Sequence, residues 1–274
     1  MSESRFQPVV PDEGLHVLHL YYKIEYGQWE LMSAKEQLLA RTRFSEWVHS
    51  VRALPATQLL IFSVVTPKAD IGFMLLTPDL QEANRIEKQL ACVLGADVLT
   101  PVYSILSMTE PSEYTSTEAE QKQMIEREQG LKPGTPEFET AFEVVQDRMK
   151  KYLHDRLYPN MADWPVICVY TMSKRRGEQQ NWYRLGFDER KKLMAGHARV
   201  GRNWAGKVRQ LITGSTGLDD AEWAVTLLAH NSFYIKGIIQ EMRFDPVTAE
   251  YAEFGDFYIG LQLPLDELFR RVSL

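Results

Sequence analysis

The densest run of chemically capable side chains lies between positions 170 and 210. Tyr170, Lys174, Arg175 and Arg176 stand together in YTMSKRR, His197 and Arg202 in GHARVGR, and Gln210 in KVRQLITGS. One phenol, one imidazole and several cations so close together would suit an anionic ligand. The chain as a whole carries a net charge of −6, so any attraction for an anion must be local. Each residue also has a plainer reading. Histidines commonly sit half-buried in ordinary packing, cations on a strand edge discourage aggregation, and a tyrosine in an apolar strand can be a core aromatic. Residue types and spacing leave both readings open.

These side chains need elements to position them. VICVYTMSK (166–174) has the β-branched and aromatic content of a strand. On a strand, Tyr170, Met172 and Lys174 share one face. Asp188 is expected to cap a helix running to about Val200, which carries His197. Strands are expected over 207–213 and 223–229, joined by the turn GSTGLDD. This turn reads as a plain hairpin, because a phosphate-binding loop should lead into a helix. Asn231 is expected to cap a helix to Met242, and a last strand covers 254–263.

The first part of the chain repeats this order. A strand (17–26), a helix (32–51), two strands within 58–76, a helix capped by Asp79, and a strand (98–108) follow in turn. The expected fold is therefore α+β, with two ferredoxin-like βαββαβ halves. Between them the charged stretch TEPSEYTSTEAEQKQMIEREQGLKPG reads as solvated helix and loop. Thr135 or Thr140 would then begin a helix with Phe138, Phe142, Val145 and Met149 on one face. The expected boundaries are 1–110, a charged helical connector at 111–165, and 166–274.

Composition excludes several classes. A negative net charge argues against nucleic acid as a partner. Cys92 and Cys168 are the only cysteines and lack ligand spacing, which argues against a zinc site or a disulfide framework. The polar start MSESRFQPVVPDEG lacks the shape of a signal peptide, and no apolar run approaches a membrane span. A cytoplasmic protein is the expectation.

From about Arg156 to Gly260 the chain resembles the chlorite dismutase superfamily, and more closely its coproheme decarboxylase branch. The matching text is RLYP (156–159), CVYTMSKRRGEQQNWYRL (168–185), ERKKLMAGHARVGRNWAGKVRQLITGSTGLDDAEWAVTL (189–227) and EMRFDPVTAEYAEFGDFYIG (241–260). The first half matches mainly in its order of elements and in YYKIEY. The resemblance implies that the two halves form a barrel-like dimeric-α/β-barrel core and assemble as a homopentamer.

The resemblance also implies roles. His197 would be the proximal ligand of a heme iron, bound through neutral imidazole. Tyr170 and Lys174 would be catalytic: the phenol can lose an electron and a proton together, and the ammonium can pair with a propionate. Tyr170, Thr171, Met172, Ser173 and Lys174 would form the substrate-contact strand, with Thr171 pointing away where the family usually has proline. Arg156 and Arg202 would grip propionates through their two-pronged guanidinium groups. Thr248 would offer them a hydroxyl where the family often has serine, and Arg243 is either structural or another propionate partner. Gln210 would be the distal group, where chlorite-decomposing members carry arginine. Arg209 faces the other way by strand alternation.

The implied reaction is peroxide-dependent oxidative decarboxylation of two propionates of iron coproporphyrin III (coproheme), giving heme b. The porphyrin is substrate and cofactor, and hydrogen peroxide the co-substrate. Transient contact with a coproporphyrin ferrochelatase is implied as well. The alternatives are a chlorite dismutase-like heme enzyme and a non-catalytic heme carrier.

Overall fold

A computed structural model describes residues 7–274; the first six residues of the polar start lie outside the described residues. The first half runs β1 (His16–Ile24), α1 (Tyr26–Leu31), α2 (Ala34–Arg52), β2 (Gln58–Val64), β3 (Ile71–Thr77), α3 (Leu80–Leu90) and β4 (Leu99–Thr109). A second stretch forms α4 (Glu118–Gln129) and α5 (Pro136–Leu157). Then come β5 (Val166–Lys174), α6 (Phe187–Arg202), β6 (Val208–Gly214), β7 (Trp223–Ala229), α7 (Ser232–Met242), α8 (Pro246–Tyr251), β8 (Ala252–Gln262) and α9 (Leu265–Arg271).

Among the described residues, eight antiparallel strands form one sheet in the order β1-β3-β2-β8-β5-β7-β6-β4. It closes on itself, because β4 pairs both with β1 and, over Met108–Thr109, with β6. The pairing pattern repeats. In the first half β1 lies between β4 and β3, and β2 flanks β3. In the second, β5 lies between β8 and β7, and β6 flanks β7. The expected strands 166–174 and 223–229 and helix 232–242 have those bounds, because alternation and capping agree there.

Side chains inside the closed sheet form one core, including Tyr21, Phe62, Met74, Ile167, Val169, Leu211 and Tyr258. The first half buries a second core between its outer face and its helices, built on Phe44, Trp47, Val48, Ile71, Phe73, Leu75 and Ile86. The second half has its own outer core of Cys168, Tyr170, Val225, Leu227, Ile235, Ile238 and Met242.

Capping follows the sequence in three places. The side chains of Asp79, Thr135 and Asn231 accept from helix N–H groups at the starts of α3, α5 and α7. At α6 the expectation needs correction: the N-cap is Gly186, and Asp188 lies in the first turn, where its charge still favours the helix N-terminus. α1, α8 and α9 were not foreseen; two are six-residue helices and one has seven residues, too short for a clear periodic signal.

Residues 110–160 form a separate unit. α4 opens with a capping box between Thr117 and Glu120, and Gly130 closes it in the left-handed conformation, φ 67°. Ile125, Phe138 and Phe142 supply its buried core. No helix of the described residues is long and apolar enough to cross a membrane.

Candidate functional site

The site is built from β5, β6, α6 and the start of α8. Odd and even positions of β5 separate cleanly: Ile167 and Val169 face the interior of the sheet, Cys168 and Tyr170 the outer core. The β5–β8 register shifts between Tyr170 and Met172, with the extra residue on β8, while β5 continues in step with β7 through Met172. Thr171 and Ser173 line a cavity of about 470 Å³ together with Tyr103, Asp219, Glu253 and Gly255. Thr171 therefore points away from Tyr170, as strand geometry requires. The Ser173 hydroxyl accepts the N–H of Glu222 at 3.2 Å. Met172 borders both that cavity and the outer core.

Tyr170 is 5 % exposed and stacks on Phe257, ring centroids 4.5 Å apart. Burial pushes its phenol well above the usual value; Cys168 adds to the rise and the Arg243 guanidinium opposes it. It is thus held as a neutral phenol. Arg243 itself lies over the ring of Phe254, 4.2 Å from its centre.

Lys174 is 6 % exposed, with Nζ 4.5 Å from the centre of the Trp182 ring. Burial lowers its ammonium to about 8, while Asp245 and Glu222 pull the other way. Its backbone N–H donates to the buried Glu222 carboxylate at 2.6 Å.

His197 is carried on α6 and is half-buried, with Nδ1 donating to Asp245 Oδ2 at 3.0 Å. The same oxygen accepts the Thr248 hydroxyl at 2.7 Å, and the other accepts the N–H groups of Val247 and Thr248. Burial disfavours the Asp245 charge, but the bonds from His197 and Thr248 outweigh it and hold the carboxyl below its ordinary value. A carboxylate on Nδ1 fixes the tautomer and leaves Nε2 as the nitrogen with the lone pair. Asp245 thereby does two jobs: it caps α8 and orients the imidazole, and it acts electrostatically on Lys174.

The structure thus brings Tyr170, Lys174 and His197 to one outer face. Gln210 joins them: Val208 and Ile212 on either side of it belong to the outer core, while Leu211 faces inward. A methyl group added at Gly201 of α6 would meet Gln210 Nε2 at 3.4 Å, so α6 passes directly over this amide. Arg209 is on the opposite face by alternation. Thr248 is placed differently from its expected role, because its buried hydroxyl is spent on Asp245. Arg202 is exposed at the end of α6. Arg156 belongs to the 110–160 unit, where Nε donates to the Glu110 carbonyl at 3.1 Å and Nη1 to the Tyr152 hydroxyl. Asp245 was missed by sequence reasoning. Its signal was present: an N-cap aspartate followed by Pro246 at the first helical position.

Residues 34–263 match the family model for chlorite dismutase, and the chain belongs to that family. It is 36 % identical over 259 residues to a coproheme decarboxylase of Staphylococcus carnosus (strain TM300), covering 93 % of this chain and 94 % of that protein. Its fold is similar to that of a solved heme-binding protein from Thermus thermophilus, with a TM-score of 0.79, 32 % identity, and coverage of 98 % of this chain and 100 % of the other. A mutant chlorite dismutase from Candidatus Nitrospira defluvii shares the fold at 15 % identity, with a TM-score of 0.72 over 96 % of this chain and 98 % of that one.

Proposed function

We propose that this chain is an enzyme that binds iron coproporphyrin III through His197 and decarboxylates two of its propionates, giving heme b. The observation that carries this reading is Asp245, which orients His197 and acts on Lys174, the ammonium that shares a strand with Tyr170. The residues fit a porphyrin. A lone imidazole with its Nδ1 held by a carboxylate presents Nε2 to a metal. The outer core supplies an apolar wall in Tyr170, Val225 and Met242, and α6, the helix bearing the ligand, has no buried residue of its own.

The iron porphyrin, when bound, supplies the redox chemistry with hydrogen peroxide as oxidant. Each propionate loses two electrons and carbon dioxide; each peroxide takes up those electrons and leaves as two waters. Tyr170 is the group that takes a hydrogen atom equivalent from the propionate. It suits this because burial keeps it protonated until it is oxidised. Lys174 holds a propionate carboxylate and hands over protons near neutral pH, since its proton affinity is lowered toward that range. Arg202 serves as a further carboxylate partner, and Gln210 as the neutral distal amide. Met172, with Thr171 and Ser173 behind it, shapes the wall, and Thr248 acts through Asp245.

Each half is a ferredoxin-like unit, at 1–110 and 166–274, joined by the 111–165 connector, and the closed sheet is a barrel made from the two. The protein works in the cytoplasm as a homopentamer and receives its substrate from a coproporphyrin ferrochelatase.

The test is to load the protein with coproheme, titrate peroxide and follow the porphyrin by mass. Two successive losses of a formic-acid equivalent are expected. Tight binding without mass loss would instead make it a heme carrier, and rapid oxygen release from chlorite would make it a chlorite dismutase.

A further inference from the structure

We propose that the stacked pair Tyr258 and Tyr103, inside the closed sheet, is a one-electron exit that draws surplus oxidising equivalents away from Tyr170. The inference rests on the reaction proposed above, which makes a phenoxyl at position 170.

Tyr170 and Tyr258 sit on opposite faces of the same two strands. Tyr170 pairs with Phe257 in the ladder, and the neighbouring pair is Val169 with Tyr258. Phe257 stacks on Tyr170 outside; Tyr258 turns inward. One thickness of sheet therefore separates the two phenols. An electron can tunnel that distance, whereas a proton cannot.

Three phenols meet on the inner side. Tyr258 lies 4.2 Å from Tyr21 and 5.0 Å from Tyr103, centroid to centroid, and the Tyr103 and Tyr258 planes differ by only 9°. They differ in where a proton can go. The Tyr21 hydroxyl is fully buried and has no hydrogen-bond partner among the described residues, so nothing can take its proton. Tyr103 lines the 470 Å³ cavity beside Ser104, Asp219 and Glu253, where water and carboxylates can accept one. Lys68 lies over Tyr258, 5.3 Å from its ring centre, but is paired with Asp256 at 3.3 Å, so it is burial of the ring that disfavours a positive charge left there. Oxidation of Tyr258 must then shed its proton or pass on to Tyr103.

The exchange balances. The Tyr170 phenoxyl gains an electron through the sheet and a proton from its own side, becoming a phenol. Tyr258 gives up that electron and recovers one from the stacked ring of Tyr103, which releases its proton to water or a carboxylate of the cavity and is left as the phenoxyl, while Tyr258 ends as the phenol it began as. Peroxide is the oxidant throughout. The path matters when peroxide is present and no propionate remains to be oxidised, because an undrained radical would attack the porphyrin or its pocket.

Coproheme-loaded protein is treated with excess peroxide and 2-methyl-2-nitrosopropane, then digested and mapped by mass spectrometry. A trapped adduct is expected on Tyr103, on Tyr258 in Tyr103→Phe, and on neither in Tyr170→Phe. Tyr258→Phe should keep both porphyrin mass losses, lose the Tyr103 adduct and bleach its porphyrin faster. Three results would overturn the exit: normal mass losses with adducts confined to Trp182 and Tyr251, a Tyr103 adduct that persists in Tyr258→Phe, or one that persists in Tyr170→Phe. Absence of mass loss in the unsubstituted protein would sink the underlying reaction, and the exit with it.

Discussion

The two halves of the closed sheet share one connectivity and one pairing pattern, yet they treat their outer faces in opposite ways. In the first half α2 buries Ala40, Phe44, Trp47, Val48 and Val51, and four aromatic rings, Phe44, Trp47, Phe73 and Phe269, pack together there. In the second half α6 occupies the equivalent place and buries nothing. Its neighbours on the sheet include a phenol, a buried ammonium and an amide, where the corresponding strands of the first half, β1 and β2, present Leu20, Tyr22, Ile24, Leu59 and Ile61 to the outer core. The first half uses its helix for stability. The second leaves its helix free to carry an imidazole, held by one carboxylate. A duplicated unit can thus divide labour: a closed copy anchors the fold, and an open copy hosts chemistry.

The sharpest break in this comparison is chemical. Tyr170→Phe should lower decarboxylation by about 10²–10⁴-fold, the scale of losing one proton-transferring group, while coproheme still binds; single-turnover mass analysis checks it. Normal conversion would remove the second half's claim to the chemistry. The matching structural break belongs to the first half. Phe44→Ala should cost about 3–5 kcal/mol, and Leu193→Ala in the half-exposed face of α6 under about 1 kcal/mol, by denaturant unfolding. Equal losses would mean that α6 is as well packed as α2.

A smaller effect is expected at the hinge between packing and chemistry. Asp245→Asn should weaken iron-porphyrin affinity about 10–100-fold, read from the Soret band on titration, because the imidazole loses its orienting charge. The smallest effect is a pH limb. Lys174 ionises near 8 rather than at the ordinary 10.5, so activity that needs its charge should fall as pH rises through about 8. Lys174→Arg should move that limb upward, since guanidinium stays charged. The sign for stability is the reverse. The unfolded chain holds this proton more tightly, so the penalty is full below about 8 and is relieved as pH rises toward 10.5. A pH series of melting curves for the parent and Lys174→Met would show the difference.

Much of the fold was legible because local signals agreed with one another. Strand 166–174 is bounded by its own β-branched run, and Asn231 begins α7 by plain capping chemistry. Where signals competed, reading was poorer. Asp188 looks like a cap, but the chain turns two residues earlier at Gly186. The roles of Tyr170, Lys174 and His197 rested on resemblance, since a lone histidine on a helix carries no local sign of its partner. Asp245 lies 48 positions from His197, and no periodicity links them.

The amino-acid sequence by itself determined the repeated order of strands and helices, the alternation that puts Gln210 opposite Arg209, and the acidic balance that leaves only local cationic patches. Those properties depend on neighbours along the chain. Tertiary structure decided that Thr248 serves Asp245, that the β5–β8 register shifts after Tyr170, and that Tyr258 stacks with Tyr103 behind the site. Each of these depends on groups from distant strands meeting when the sheet closes, and their energies exist only once it has.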